Sequence, residues 1–507
     1  MRSAALKGVA GAAAILSACT VGPDYQRPAA PVPVRFKEAQ PPPGWKLGRP
    51  ADAINRGDWW RVYDDPVLDG LERRIDISNQ NLKAAEAAFR ESEWRVTEAR
   101  AGFFPTGTVN GSATRSKSGG GGSNGSGSVS AGVASGGRIS DFFSTQVAAS
   151  WTPDLWGQIR RTVEANVATA QASAGDLANA RLSAQGALAS DYLQLRVADE
   201  LKRLLDDSTT AFAESLRITR NQYAAGTAAQ SDVSQAAAQL QSTQAQAIAV
   251  GVTRAQFEHA IAILIGVPPA ELAIAPTEFV DQVPEIPAGL PSALLERRPD
   301  IAAAERTMQT ANAEIGVQLA AFYPTITLSG DAGTAALTLS KLLSQSSQFW
   351  SYGASLLDTV FDAGLRNAEV HAAIAVYDQD LANYRQTVLT AFQQVEDQLA
   401  ALRILADQAK AQDAAVVSAR EAERIINNQY LAGTVAYTSV IVAEQTALGD
   451  AETALTIRQN RLTASAGLIQ ALGGGWDAAQ LPSREDIENA APLNFNPLPP
   501  SVSVKGR

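Results

Sequence analysis

The sequence has little with which to do chemistry. Only two of its 507 residues are histidines, His259 and His371, and they sit in unrelated contexts. No His-Glu-x-x-His pair occurs, and "GGGGSNG" at 119–125 lacks the Lys-Ser/Thr and following helix of a phosphate loop. Carboxylates are plentiful, but on long helices they form solvated faces. An enzyme is therefore not expected, and no cofactor or metal is either. Net charge is −10, with no basic stripe to neutralise phosphates, which excludes a nucleic-acid partner. Proline is missing from two long intervals, between Pro153 and Pro268 and between Pro324 and Pro482. Aromatics make up 6% and alanine is abundant, which suits closely packed helices in those intervals.

Cysteine occurs once, at Cys19, directly after "AAAILSA". Arg2 and Lys7 precede an apolar run from Gly8 to Ala18 that is 11 residues long. A membrane-spanning helix needs about 20. A charged start, a short apolar stretch and small residues at its end make a secretory signal over residues 1–18. Leu16-Ser17-Ala18-Cys19 resembles the bacterial lipobox, which implies cleavage before Cys19 and acylation of its thiol and new amino group, palmitate included. The alternative is a leftover cysteine in an ordinary signal. Several acyl chains anchor a protein stably where one does not. Thr20, in place of an aspartate that would retain a lipoprotein in the inner membrane, points to the outer membrane.

Residues 19–57 read as a linker, with prolines at 23, 28, 31, 33, 41, 42, 43 and 50 forbidding a long helix. Residues 479–507 read as a proline-rich tail of the same kind. Between them the chain repeats itself. "NQYAAGT" at 221–227 and "NQYLAGT" at 428–434 place Tyr223 and Tyr430 207 positions apart. Gly157 and Gly364, Arg254 and Arg461, and Gly266 and Gly473 show the same offset of 207. One inserted residue would rotate every later side chain of a helix by about 100°. Constant offset therefore means two copies of a large helical module, a first repeat over 58–285 and a second over 286–478.

Upstream the offset changes. "GFFPTGTVNGS" at 102–112 matches "AFYPTITLSGD" at 321–331 with Phe103 and Phe322 219 positions apart. The 12 extra residues fall in the first half, where the Gly/Ser-rich stretch 116–137 has no means of burying a core. Surface loops absorb such insertions cheaply. Around these loops the apolar period falls to two, predicting antiparallel hairpins at about 105–153 and 324–358. Each follows a helix that ends at Phe-Phe-Pro or Phe-Tyr-Pro, because proline expels its predecessor from helix.

The spacing predicts helices over 155–223 and 228–265, about 100 Å and about 57 Å long at 1.5 Å per residue. The return arm is too short, so a second helix, over 79–103 or 299–322, must complete it. A path of this length is not a compact globule.

In this order, "LSAC", "DWWRVYDDPVLDGL" at 58–71, "ARAGFFPT" at 99–106, "DLWGQIRR" at 154–161, "ERRPDI" at 296–301, "IGVQLAAFYPT" at 315–325 and "SAGLIQALGGGW" at 465–476 resemble the TolC/OprM family of outer-membrane efflux ducts, in its NodT-type lipoprotein branch. The resemblance covers about residues 16–478. It implies a mainly α fold with a small β part: a homotrimeric α-helical barrel of long coiled-coil-like helices, continued by a 12-stranded transmembrane β-barrel with four strands from each chain. It implies a channel that passively conducts what an inner-membrane pump and a periplasmic adaptor deliver, or alternatively the duct of a type I secretion system. Two hairpins from one chain cannot close a barrel in lipid, which independently requires oligomerisation. A purely structural periplasmic coiled-coil adaptor would explain the long helices but not the hairpins. The substrate is not legible.

The resemblance also places function on the turns. Tyr223, Gly226 and Thr227, with Tyr430, Gly433 and Thr434, would form the periplasmic tip, either as a purely structural helix reversal or also as an adaptor-docking surface. Gly226 and Gly433 suit the special backbone angles of such a turn. Asp232 matches a gate acid of the family and Tyr430 the tyrosine that bonds it; the alternative for Asp232 is a solvated surface carboxylate. The second repeat departs from the pattern. Ser439 and Val442 stand where relatives carry aspartates, and Val435 where some carry an arginine. Glu444 offers charge nearby, in the wrong register for direct replacement.

Overall fold

A computed structural model describes residues 20–38, 57–117, 139–277, 283, 284, 286 and 294–495. The signal region, Cys19 and residues 118–138, which make up nearly all of the Gly/Ser-rich loop, lie outside the described residues.

Eight helices and four strands carry the argument. In chain order they are α1 (Pro66–Ser78), α2 (Gln80–Ala101), β1 (Thr106–Lys117), β2 (Ile139–Trp151), α3 (Gln158–Ala224), α4 (Gln230–Leu264), α5 (Pro299–Ala320), β3 (Thr325–Ala336), β4 (Gln348–Leu357), α6 (Leu365–Leu431), α7 (Tyr437–Ala471) and α8 (Arg484–Ala490). The duplication holds to the residue. Helices α3 and α6 are both 67 residues long, α4 and α7 both 35, and all four boundaries are offset by 207. Helices α2 and α5 are both 22 residues and strands β1 and β3 both 12, with all boundaries offset by 219.

Each 67-residue helix is about 100 Å long. Its start is fixed by a carboxylate that satisfies the free first-turn amides. Asp154 accepts from Ile159 N and Arg160 N at 3.1 and 3.0 Å, and Asp362 does similar work for α6. The return path is built from two helices stacked end to end. Where α4 ends, Asn79 Nδ2 donates to the Leu264 carbonyl at 2.7 Å and the Ser78 hydroxyl donates to the Ile265 carbonyl, so α2 continues the line of α4. In the second repeat the buried Arg298 donates to the Ala471 carbonyl at 2.9 Å, and α5 continues α7. Small residues allow close approach: a Cβ added at Gly175 of α3 would lie 3.0 Å from Ala303 Cβ of α5.

The strands form one antiparallel sheet in the order β1-β2-β3-β4. Partnered residues share a face. Val109, Val147, Ala332 and Trp350 form one row across the sheet, and Gly107, Ala149, Gly330 and Tyr352 the next. Trp350 and Tyr352 stack on this apolar face with centroids 5.6 Å apart. The opposite face carries Ser112 bonded to Ser144 at 2.8 Å and Ser351 donating to Asp331 at 2.5 Å. Neither face is packed against the helices: β1 is exposed along its whole length, and β4 along all but Phe349.

Two segments read as linkers turn out to be structured. Residues 20–38 form an extended strap down the helical body. Val21 N donates to the Trp156 carbonyl at 3.1 Å, and the buried Arg161 donates to the Val21 and Gly22 carbonyls and to Asp24. Lower down, Phe36 is buried against Phe392, and Glu396 accepts from the backbone amides of Lys37 and Glu38. The prolines that forbid a helix favour this extended form. In the tail, Ser483 caps α8, which buries Ile487 against α2 and α3, and the Thr97 hydroxyl donates to the Ala491 carbonyl.

Candidate functional site

The two "NQYxAGT" stretches make the same turn. At the first, Gly226 N donates to the Tyr223 carbonyl at 2.9 Å and Thr227 N to the Gln222 carbonyl at 2.9 Å; the Thr227 hydroxyl adds a third bond to that carbonyl at 3.0 Å. At the second, Gly433, Thr434 and the Thr434 hydroxyl repeat the pattern on Tyr430 and Gln429 at 2.9, 3.0 and 2.9 Å. This is a Schellman ending, which needs a left-handed residue just past the helix. Gly226 and Gly433 supply it at φ of 72° and 73°. Glycine and threonine in the motif are therefore accounted for by the reversal itself.

The tyrosines are not accounted for in that way, and here the repeats part. Tyr223 is 47% exposed, whereas Tyr430 is 9% exposed. Tyr430 packs on Tyr437 with centroids 5.1 Å apart, in a cluster with Leu216, Ala236 and Val440 that joins the first hairpin to the second. Val435 lies at the edge of this cluster. The Tyr437 hydroxyl pairs with Ser215 Oγ of α3 at 3.0 Å, and Gln445 of α7 donates to Gln239 of α4 at 2.7 Å.

The expected bond between Tyr430 and Asp232 is not formed. The Tyr430 hydroxyl is buried without a hydrogen-bond partner of good geometry; Thr219 lies beside it and Asp232 only near it. Asp232 instead closes the start of α4, accepting from Ala229 N at 3.3 Å and from the Ser231 hydroxyl at 3.4 Å. Third-position carboxylates of a helix take this capping role because the first-turn amides are free. Burial raises the Tyr430 hydroxyl above its usual pKa, and the Asp232 charge adds to this against the opposing effect of Thr219.

Ser439 and Val442 fall together on one side of α7. With Ala419, Ile426, Ala443 and Thr446 they line a shallow apolar groove between α6 and α7. Val442 is 63% exposed, so this side of the second hairpin is unfilled in one copy. Glu444 is 7% exposed and lies beside the cluster, near Ser215 and Tyr437. The sequence did carry a signal for this asymmetry. Tyr437 and Glu444 stand, at offset 207, where the first repeat has Gln230 and Ala237.

The model of the outer membrane efflux protein family matches residues 73–267 and 290–474, one block in each repeat. The probable efflux pump outer membrane protein TtgC of Pseudomonas putida is 30% identical over 479 residues, covering 93% of this chain and 96% of that one. The cation efflux system protein CusC of Escherichia coli is 29% identical over 465 residues, covering 91% and 96%. Among solved structures, the outer-membrane channel OprN superposes with a TM-score of 0.80 at 28% identity over 90% of this chain and 100% of that one. The open state of the Neisseria gonorrhoeae MtrE outer membrane channel gives 0.77 at 27% identity over 91% and 99%. The duplicated helical hairpins, the two-faced sheet and these matches lead to one conclusion: the chain belongs to the outer membrane efflux protein family, whose members are non-enzymatic channels of the outer membrane.

Proposed function

We propose that three copies of this chain form one continuous duct from the periplasm to the cell exterior, passively conducting substrate that an inner-membrane pump and a periplasmic adaptor deliver. The observation that carries this reading is the sheet. It has an apolar face and a polar face, neither packed on the helices, and the outer edges of β1 and β4 have no strand partner among the described residues. In lipid such a sheet must close, with its apolar face outward and its polar face on a water-filled lumen. Strands of 10 to 13 residues suit the span of about 9–11 that a tilted strand needs. Three sheets of four strands give the twelve-stranded barrel of the family resemblance.

The helices support the same reading. Helix α4 is long and apolar enough to cross a membrane, and little of it is buried in one copy. Ile248 and Val252 lie open on it. In the trimer those residues pack on the neighbouring copy, and the helices form a barrel about 100 Å long below the membrane. The strap packs Thr20 against Gly157, next to the start of α3, and a lipid on the preceding residue, Cys19, would anchor the chain beside the barrel.

Named relatives export different cargo: one is a pyoverdine export outer membrane protein and another a cation efflux system protein. Cargo for this duct is set by its pump. The reading is tested by reconstituting the purified full-length protein in planar bilayers and by photo-crosslinking from position 223 in cells. Discrete channels and a crosslink to a periplasmic adaptor are expected. A bilayer that stays silent in the presence of SDS-resistant trimers refutes the duct.

A further inference from the structure

Beside the cluster that joins the two hairpins at the tip lies one carboxylic acid that nothing neutralises. Glu444 Oε2 is buried without a hydrogen-bond partner. Around it, α3 contributes the Ser215 hydroxyl, while Glu214 on that helix is turned to solvent and tied to Arg217. Helix α6 contributes Glu423, whose charge acts on Glu444 and is itself eased by Arg420; Arg424 is committed to Glu421 at 2.6 Å. Helix α7 contributes Tyr437, and from α4 Asp232 faces Tyr430. The interactions that set the charge of Glu444 include none with a cation. A buried carboxylate without a cation is costly, so the group keeps its proton where it can.

We propose that Glu444 is a proton-operated latch on the tip. With the proton on, a neutral carboxyl sits between Ser215 of the first hairpin and Tyr437 of the second, against the cluster formed by Leu216, Ala236, Tyr430, Tyr437 and Val440, and the two hairpins stay joined. With the proton off, the carboxylate leaves for water and the hairpins part. The inference rests on the reading of this end as the closed end of a duct.

The direction follows from linkage. Burial first, and the Glu423 carboxylate second, push Glu444 from the ordinary 4.5 up to about 7 in the closed tip. In an opened tip it is solvated and returns to the ordinary value. Closure is then fully supported below about pH 4.5, weakens as pH rises toward about 7, and changes no further above that. The gap between the two values caps the change in the closed-to-open ratio at roughly 10²-fold per copy.

Open probability of the reconstituted full-length protein at pH 5 and pH 8 tests this. Wild type should open at least about tenfold more often at pH 8. Glu444→Gln, neutral at both, should stay closed at both while forming SDS-resistant trimers. Glu423→Gln should move the wild-type midpoint to lower pH. Channels whose opening ignores pH, or a Glu444→Gln protein that keeps the wild-type response, overturn the latch and leave the duct standing. If Glu444→Gln does not assemble, the Glu423→Gln midpoint decides, and an unshifted midpoint overturns the latch.

Discussion

Gly266 is the position where a single methyl group should do the most damage. It lies at the junction where α2 stacks on the end of α4, with φ of 68°. A Cβ built there would stand 2.0 Å from the Ser78 carbonyl oxygen, a backbone atom that no rotamer change can move. Gly266→Ala therefore carries two costs. The left-handed backbone costs an alanine about 1–2 kcal/mol. Relieving the overlap means moving the two helix ends apart by more than an ångström, a strain of about 1–3 kcal/mol. It also endangers the bonds from Ser78 and Asn79 to the last carbonyls of α4, each contributing about 1 kcal/mol. With both bonds lost, the sum is about 4–7 kcal/mol. Gly226→Ala is the control, because it shares the backbone angle but meets nothing within 4 Å, so only about 1–2 kcal/mol is lost. Gly473→Ala, its Cβ placed against the Arg297 carbonyl of the second repeat, should behave like Gly266→Ala. Urea unfolding followed by helical circular dichroism measures all three. Equal losses at Gly226 and Gly266 would refute the stacked-helix junction.

Tyr430→Phe removes a buried hydroxyl that has no partner, so it should leave stability and resting conductance unchanged or slightly improve stability, whereas a loss of about 1.5–3 kcal/mol would show a bond to a charged acceptor after all. Glu72 is fully buried on α1 with both oxygens unpaired, and burial, with Asp76 adding to it, pushes it up to about 9. Wild type should lose stability as pH rises from about 4.5 toward 9, and Glu72→Gln should not, so denaturation midpoints of the two should diverge with pH. Cys19→Ser should abolish incorporation of a radioactive fatty acid; retained label would mean that the lipid is elsewhere. Removal of 12 residues from 116–137 should leave trimer yield and export intact, and misassembled trimers would show a structural role for that loop.

The sequence made the repeat architecture legible because helices tolerate no insertion: the offsets of 207 and 219 read from single residues reappear at the boundaries of α3 and α6, of α4 and α7, and of α2 and α5. The hairpins were legible for a different reason, since period two and a leading proline leave few alternatives. The strap at 20–38 was not, because an extended segment has no period and its partners, such as Arg161 and Glu396, are far away in sequence. Helix α8 was hidden by its shortness among prolines. At the tip, family likeness joined Tyr430 to Asp232, a bond that the structure does not form. Asp232 has two possible partners, a tyrosine across the hairpins and the free amides of its own helix, and the local one wins because it costs no ordering of a distant side chain. The burial of Glu444 could be suspected from its counterpart Ala237, a position of the kind that packs inward, but only the cluster shows that the acid stays there without a cation.

The orientation of the chain across the membrane tests the account most directly. Cys19 is the sole native cysteine and its proposed acylation would block the thiol, so single added cysteines can be read with a membrane-impermeant maleimide on intact cells. Ser123→Cys, in the Gly/Ser-rich stretch 116–137, should label on intact cells, and Ala225→Cys, in the tip turn, only after the outer membrane is permeabilised. Equal labelling of both on intact cells, or a protected Ser123→Cys beside a labelled Ala225→Cys, would contradict a duct whose sheet spans the outer membrane and whose tip lies in the periplasm.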